Sequence, residues 1–177
     1  FLCLMRKLFL TIILSPTFLL AQNGGSSIYQ VLQFPSSSRL AVLAEPISIW
    51  DDDINMGIYN PSLLNPEMNS KLALNFVDYF ADINVVSASY GFSIKELGTL
   101  GISITSLNLG QFVETDFAAN VLGTFYANEQ LFVTGFGMKI TNKVSLGANV
   151  KMILSTLESY QSFGLASDLS ATYFDIY

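Results

Sequence analysis

The stretch "KVSLGANVKMIL", residues 143–154, decides the fold class. Val144, Leu146, Ala148, Val150, Met152 and Leu154 share one parity; Ser145, Gly147, Asn149 and Lys151 share the other. A period of two is the signature of a β-strand, because successive side chains leave opposite faces. A helix would need apolar residues three and four apart. The polar parity is unusual: it holds mostly small residues, where a water-washed sheet normally carries lysine, glutamate and arginine. Such a face fits a crowded or water-filled interior, with the apolar parity turned outward.

The pattern recurs. In "VVSASYGFSI", 85–94, Val86, Ala88, Tyr90, Phe92 and Ile94 oppose Ser87, Ser89, Gly91 and Ser93. In "FGLASDLSATY", 163–173, Phe163, Leu165, Leu169, Ala171 and Tyr173 share a face, with Ser167 the exception. Strands are predicted near 71–78, 83–94, 98–108, 122–140, 143–155 and 163–175. The links at 95–97 and 141–142 read as tight, and those at 109–121 and 156–162 as longer and polar. Lys95, Lys139 and Lys143 gather at the tight links; Asp78, Asp82, Glu114, Asp116 and Glu158 gather at the opposite end. Tyr79, Phe80, Phe112, Tyr160, Phe163 and Tyr173 are candidates for aromatic girdles.

Composition agrees. The 177 residues are 51% hydrophobic but only 12% charged, about half the charged share of an average soluble domain. Beyond the N-terminus no apolar run is long enough for a membrane helix, which needs roughly 18 residues or more. Apolar composition without apolar runs is the mark of a transmembrane barrel, whose strands show lipid only every second residue. The alternative is a soluble β-sandwich with an apolar core. Six strands do not close a membrane barrel, for which about eight is the minimum. The chain is therefore expected to supply the first part, residues 71–177, of a longer all-β, transmembrane antiparallel barrel.

The N-terminus reads as a secretory leader over 1–21. Met5-Arg6-Lys7 is its basic start, "LFLTIILSPTFLL" its apolar core, and Ala21 its cleavage point; residues 1–4 precede the expected start. Cys3, the single cysteine, lies ahead of the leader, so no disulfide or thiolate chemistry is expected beyond it. Loss of Arg6 and Lys7 leaves six basic and fourteen acidic residues, a net charge of −8. That balance argues against nucleic acid as a partner. With no histidine, Ser-His and Cys-His catalysis have no base, and metal sites built on His or Cys are excluded. "GTLGISI", 98–104, is a strand entrance rather than a phosphate loop. No enzyme activity and no cofactor are expected.

Residues 22–70 do not alternate and are predicted to form a hatch or plug segment. "SSSRLAVLAE", 36–45, reads as a short helix with Ser38 as N-cap, ended by Pro46. "SIWDDDINMGIYNPSLLNPEMNSKLALNF", 48–76, joins an acidic run to two turn signals, Asn60-Pro61 and Asn65-Pro66, directly before the first strand. A binding loop, a calcium site and a barrel plug all fit such a stretch. Asp51, Asp52 and Asp53 with Asn55 and Gly57 have a faint calcium-loop look, but Ser62 stands where the bidentate glutamate should fall. A solvated hatch turn is the better reading, with Asp52 or Asp53 touching the inner wall or capping the next turn. Lys151 and Asp168 fall on the inward face of adjacent strands, where a structural ion pair is favoured over a transport site.

"GGSSIYQVLQFPSSSRLAVLAE", "DDDIN", "YNPSLLNPEM" and "LNFVDYFADIN", followed by 143–175, resemble in order the PorQ-like family, outer-membrane components of the type IX secretion system of Bacteroidota. That family belongs with PorV among FadL-like barrels, in which an Asn-Pro motif follows an N-terminal hatch. The resemblance covers almost all of residues 24–175. Glu45-Pro46 stands where the family usually has a glycine pair, and Ser62 where alanine is common. The resemblance implies a FadL-like barrel of about fourteen strands in the full protein. It makes Asp51, Asp52, Asp53, Asn60 and Pro61 a structural hatch motif. It also implies an outer-membrane scaffold without catalysis, embedded in lipid. Such a scaffold holds a PorZ-like surface protein and, through it, the PorU/PorV-like attachment complex. The alternative is a FadL-like conduit for hydrophobic small molecules.

Overall fold

The computed structural model describes residues 28–43, 51–95 and 97–174. The predicted leader, Cys3, and the end of the predicted helix with Pro46 lie outside the described residues. The rest is all-β: one six-stranded antiparallel sheet in strict chain order. Its strands are β1 (Leu72–Asp78), β2 (Asn84–Ile94), β3 (Gly98–Thr115), β4 (Val121–Lys139), β5 (Val144–Leu157) and β6 (Tyr160–Tyr173). Among the described residues β1 pairs only with β2 and β6 only with β5, so the sheet has two open edges.

Alternation sorts the strands as the sequence predicts. Ser87, Ser89, Ser103, Thr105, Ser145, Asn149 and Thr172 are buried. Their neighbours Val86, Tyr90, Phe92, Ile102, Ile104, Leu146, Val150, Leu165 and Leu169 are exposed. Register keeps like with like: Ser89 sits opposite Ser103, and Tyr90 opposite Ile102. The sheet is thus inverted relative to a water-soluble one. Its polar, small-residue face is covered and its apolar face is bare.

Among the described residues, the cover is formed by 28–43 and 51–70. It holds a short helix, α1 (Ser38–Leu43), and four 3₁₀ turns at Gln30–Leu32, Ile54–Ile58, Pro61–Leu63 and Pro66–Met68. Three of the turns begin at an Asx cap. Asp53 accepts from the Asn55 amide, Asn60 from Ser62 and Asn65 from Glu67. Each cap satisfies an amide that a turn's start leaves unpaired. Proline follows two of these caps, where its fixed φ suits the turn and its missing N–H costs nothing. Helix α1 is capped differently from the sequence reading: Ser37 Oγ accepts from the Leu40 amide at 3.3 Å, one position before Ser38. Val31, Leu40, Ile54, Met56, Ile58, Leu63, Leu64 and Met68 are fully or almost fully buried. Val31 and Ile58 pack with Val85, Leu107, Leu131, Val133 and Ile153 of the covered face, while Leu40, Met56 and Leu63 form a second cluster and Ile54, Leu64 and Met68 a third. The core therefore lies between hatch and sheet.

Two predicted links differ. The long polar link at 109–121 is strand for most of its length, and the turn shrinks to Asp116–Asn120. The link at 156–162 shrinks to Glu158–Ser159, with Glu158 at φ 56° closing the turn. Polarity there reflects exposure on both faces, not loss of pairing.

Candidate functional site

The interface between hatch and sheet is built from three kinds of contact. The first is close backbone approach. A Cβ on Gly147 would fall on the Pro61 carbonyl and the Ser62 nitrogen, and one on Gly91 would fall on the Met68 carbonyl. Glycine lets the hatch chain lie directly on the sheet. The second is polar clamping. Asn149 Nδ2 donates to the Gly57 and Ile58 carbonyls, at 3.0 Å each. The Ser62 amide donates to Ser170 Oγ at 2.9 Å, and Ser62 Oγ lies 2.6 Å from Thr172 Oγ1. Ser87 Oγ donates to the Ser36 carbonyl at 2.6 Å, and the Val31 amide to the buried carboxylate of Glu129 at 2.7 Å. These sheet side chains stand in for the strand partners that a turn-rich segment cannot supply itself. The third is apolar packing. The space between Ile54, Gly57, Ile58, Leu64, Gly101, Val133 and Gly135 leaves no room for a water molecule.

The predicted site residues fall into place individually. Asp51 pairs with Arg39 of α1, and Asp53 Oδ2 lies 3.5 Å from the same guanidinium. Asp51 is held below the usual carboxylate range, first by the Asp52 amide and then by Arg39, whose own pKa rises in return. Asp52 pairs with Lys71, at the entrance to β1. The three acids thus point to two cations and one turn cap rather than to a common centre. Among the described residues no acidic cluster is arranged to hold a metal ion. Asn60 caps its turn and its Nδ2 reaches Thr172 Oγ1 at 3.4 Å. Pro61 lies against Gly147. Lys151 Nζ and Asp168 Oδ2 are 2.7 Å apart, with the lysine largely buried. Glu129 and Asn149 were not singled out from sequence. Their signal was size: each is a large polar residue on a face whose other polar positions are mostly Gly, Ser and Thr, apart from the Lys151–Asp168 pair.

The bare face is the second feature. Leu72, Leu74, Phe76, Val86, Phe92, Ile102, Val150, Phe163, Leu165 and Leu169 run across five strands and are exposed. Isolated exposed apolar residues are ordinary, but a contiguous field of this extent marks contact with another apolar phase or surface. Two girdle candidates do not belong to it. Tyr79 turns to the covered side and meets Phe34 edge-on at 5.2 Å. Phe112 stacks on Phe125 at 5.4 Å. Phe80, Tyr160, Phe163 and Tyr173 are exposed.

Comparison with family models, curated proteins and solved structures gave no match for this chain.

Proposed function

We propose that the sheet is part of an outer-membrane β-barrel that acts as a non-catalytic scaffold of type IX secretion. The observation that carries the membrane reading is the inversion of the sheet. A bare apolar face opposite a polar face filled by the chain's own hatch suits lipid outside and a plugged lumen inside. A soluble sandwich would put its apolar parity inward. The secretion role rests on the ordered resemblance of residues 24–175 to PorQ-like proteins. Dry packing of the hatch supports a plug over a FadL-like conduit. A free space of about 450 Å3 between Leu64, Pro66, Ser93, Thr99 and Gly137 lies at the tight-turn end.

The test is isolation of the full gene product from its native outer membrane in mild detergent. Heat-modifiable migration with stoichiometric recovery of a PorZ-like surface protein is the expected result. A barrel recovered alone with bound fatty acid would favour the conduit. A product found in the soluble fraction would overturn both.

A further inference from the structure

Strands β3 and β4, of 18 and 19 residues, outrun their neighbours. Pairing with β2 stops at Asn108, and pairing with β5 stops at Ala127. A membrane strand needs only about 9–11 residues. Beyond those limits the two strands pair only with each other, from Gln111↔Tyr126 to Thr115↔Val121. The result is a two-stranded ribbon that projects roughly 15–20 Å.

The ribbon exposes large apolar side chains on both faces, among polar ones such as Gln111, Thr124 and Glu114. Val113 and Tyr126 are exposed on the side continuous with the bare face, and Leu122, at an irregularity in the pairing, is exposed as well. The Phe112–Phe125 stack lies on the other side, beyond the hatch. Phe117 in the turn is fully exposed, and Val121 is exposed beside it. Lipid accounts for one apolar face of a barrel strand, not for both faces and the tip. Charge at this end has one sign. Asp78, Asp82, Glu114, Asp116 and Glu158 lie there, and residues 78–84, 108–128 and 155–163 contain no lysine or arginine. Such an end repels anionic lipid headgroups and attracts a basic surface.

We propose that this ribbon is a docking element for a separate protein whose surface presents an apolar cleft rimmed by lysine or arginine. Phe112, Phe117 and Leu122 would enter the cleft as anchors, and Glu114 and its acidic neighbours would meet the rim. The proposal rests on the scaffold reading above and gives that scaffold its contact surface.

The experiment is photocrosslinking in native cells, with the full gene carrying a benzophenone side chain at Phe117 or Leu122, or at Leu165 or Leu169 of the bare face. The expected result is a defined peptide of one protein, apolar and flanked by basic residues, captured at Phe117 and Leu122, with lipid captured at Leu165 and Leu169. Glu114→Lys combined with Glu158→Lys should cut the ribbon crosslink by about tenfold, the effect of turning two rim attractions into repulsions. Reversal of the mapped basic residues on the partner should restore it. Lipid, a second copy of this chain, or nothing at Phe117 and Leu122 would overturn the ribbon proposal. Absence of lipid at Leu165 and Leu169 would instead overturn the membrane reading.

Discussion

Replacing Gly147 with alanine should lift the hatch from the sheet. The backbone at Gly147 is not in the left-handed region, so β5 itself accepts alanine. The added methyl would instead meet the Pro61 carbonyl and the Ser62 nitrogen, well inside van der Waals contact. These are backbone atoms of a proline-led turn and cannot rotate aside. Overpacking of this kind costs about 1–3 kcal/mol. A shift large enough to relieve it also breaks Ser62 N–Ser170 Oγ and Ser62 Oγ–Thr172 Oγ1, at about 0.5–1.5 kcal/mol each. The total is about 2–6 kcal/mol, which raises local opening by about thirtyfold to about twenty-thousandfold.

Hydrogen exchange of the full gene product in detergent reads that opening at the amides of Leu63, Leu64 and Met68, which donate to Asn60, Pro61 and Asn65 within the turns. Gly123→Ala is the control, because a Cβ there meets nothing nearer than Glu114 Oε2 at 3.8 Å. Faster exchange in Gly147→Ala and unchanged exchange in Gly123→Ala is expected. Equal protection in the two variants would refute the idea that hatch backbone rests on the glycine.

Lys151→Met should destabilise by about 1–2 kcal/mol, since it strands Asp168, and the double variant with Asp168→Leu should recover most of the loss; the measurement is a denaturant midpoint of the detergent-solubilised protein. Asn149→Leu removes the donor shared by two buried carbonyls, Gly57 and Ile58; it should cost about 1–3 kcal/mol and deprotect the Tyr59 and Asn60 amides while leaving β2–β3 pairing intact. At the ribbon tip Asp116 accepts from the Asn120 side chain and from the Asn120 and Ala118 amides, which lowers its pKa from 3.8. Its folded pKa is depressed, so its contribution is complete above 3.8 and is lost as pH falls through the lowered value. Exchange at Ala118 and Asn120, corrected for intrinsic rate, should therefore hold steady down to about pH 4 and accelerate only below it; loss of protection near pH 6 would exclude the carboxylate as the cause.

The sheet was legible because burial acts on every strand with the same period. Val144 to Leu154 alternate because one face meets the hatch and the other does not, and the same rule fixes β2 and β6. It fails where neither face is buried. Beyond Asn108 a bulge at Leu109–Gly110, with Gly110 at φ +83°, shifts the parity, and both faces of the ribbon then stay exposed. No alternation survives there, so "LGQFVETDF" reads as a loop although its backbone is paired. The segment ahead of the sheet is expected as a hatch, but its internal turns were hidden for another reason. Its 3₁₀ turns span three to five residues, too few to show a period, and only their Asp and Asn caps reach the sequence.

The polar clamps needed a different question from the one periodicity asks. The Gly, Ser and Thr positions of the covered face are permissive: they leave space without saying what fills it. Asn149 and Glu129 are the informative exceptions, since a large polar side chain on a crowded covered face must find partners there. Side chains of the neighbouring strand meet part of that need, Ser155 at Glu129 and Asp168 at Asn149; the strand backbone is already paired, so the rest falls to backbone that no strand serves. In this chain that is the turn-rich stretch at 28–43 and 51–70, and Asn149 and Glu129 meet it at Gly57, Ile58 and Val31. Large polar residues of the covered face without an opposite charge beside them thus locate hatch contacts, whereas Lys151 and Asp168 satisfy each other within the sheet.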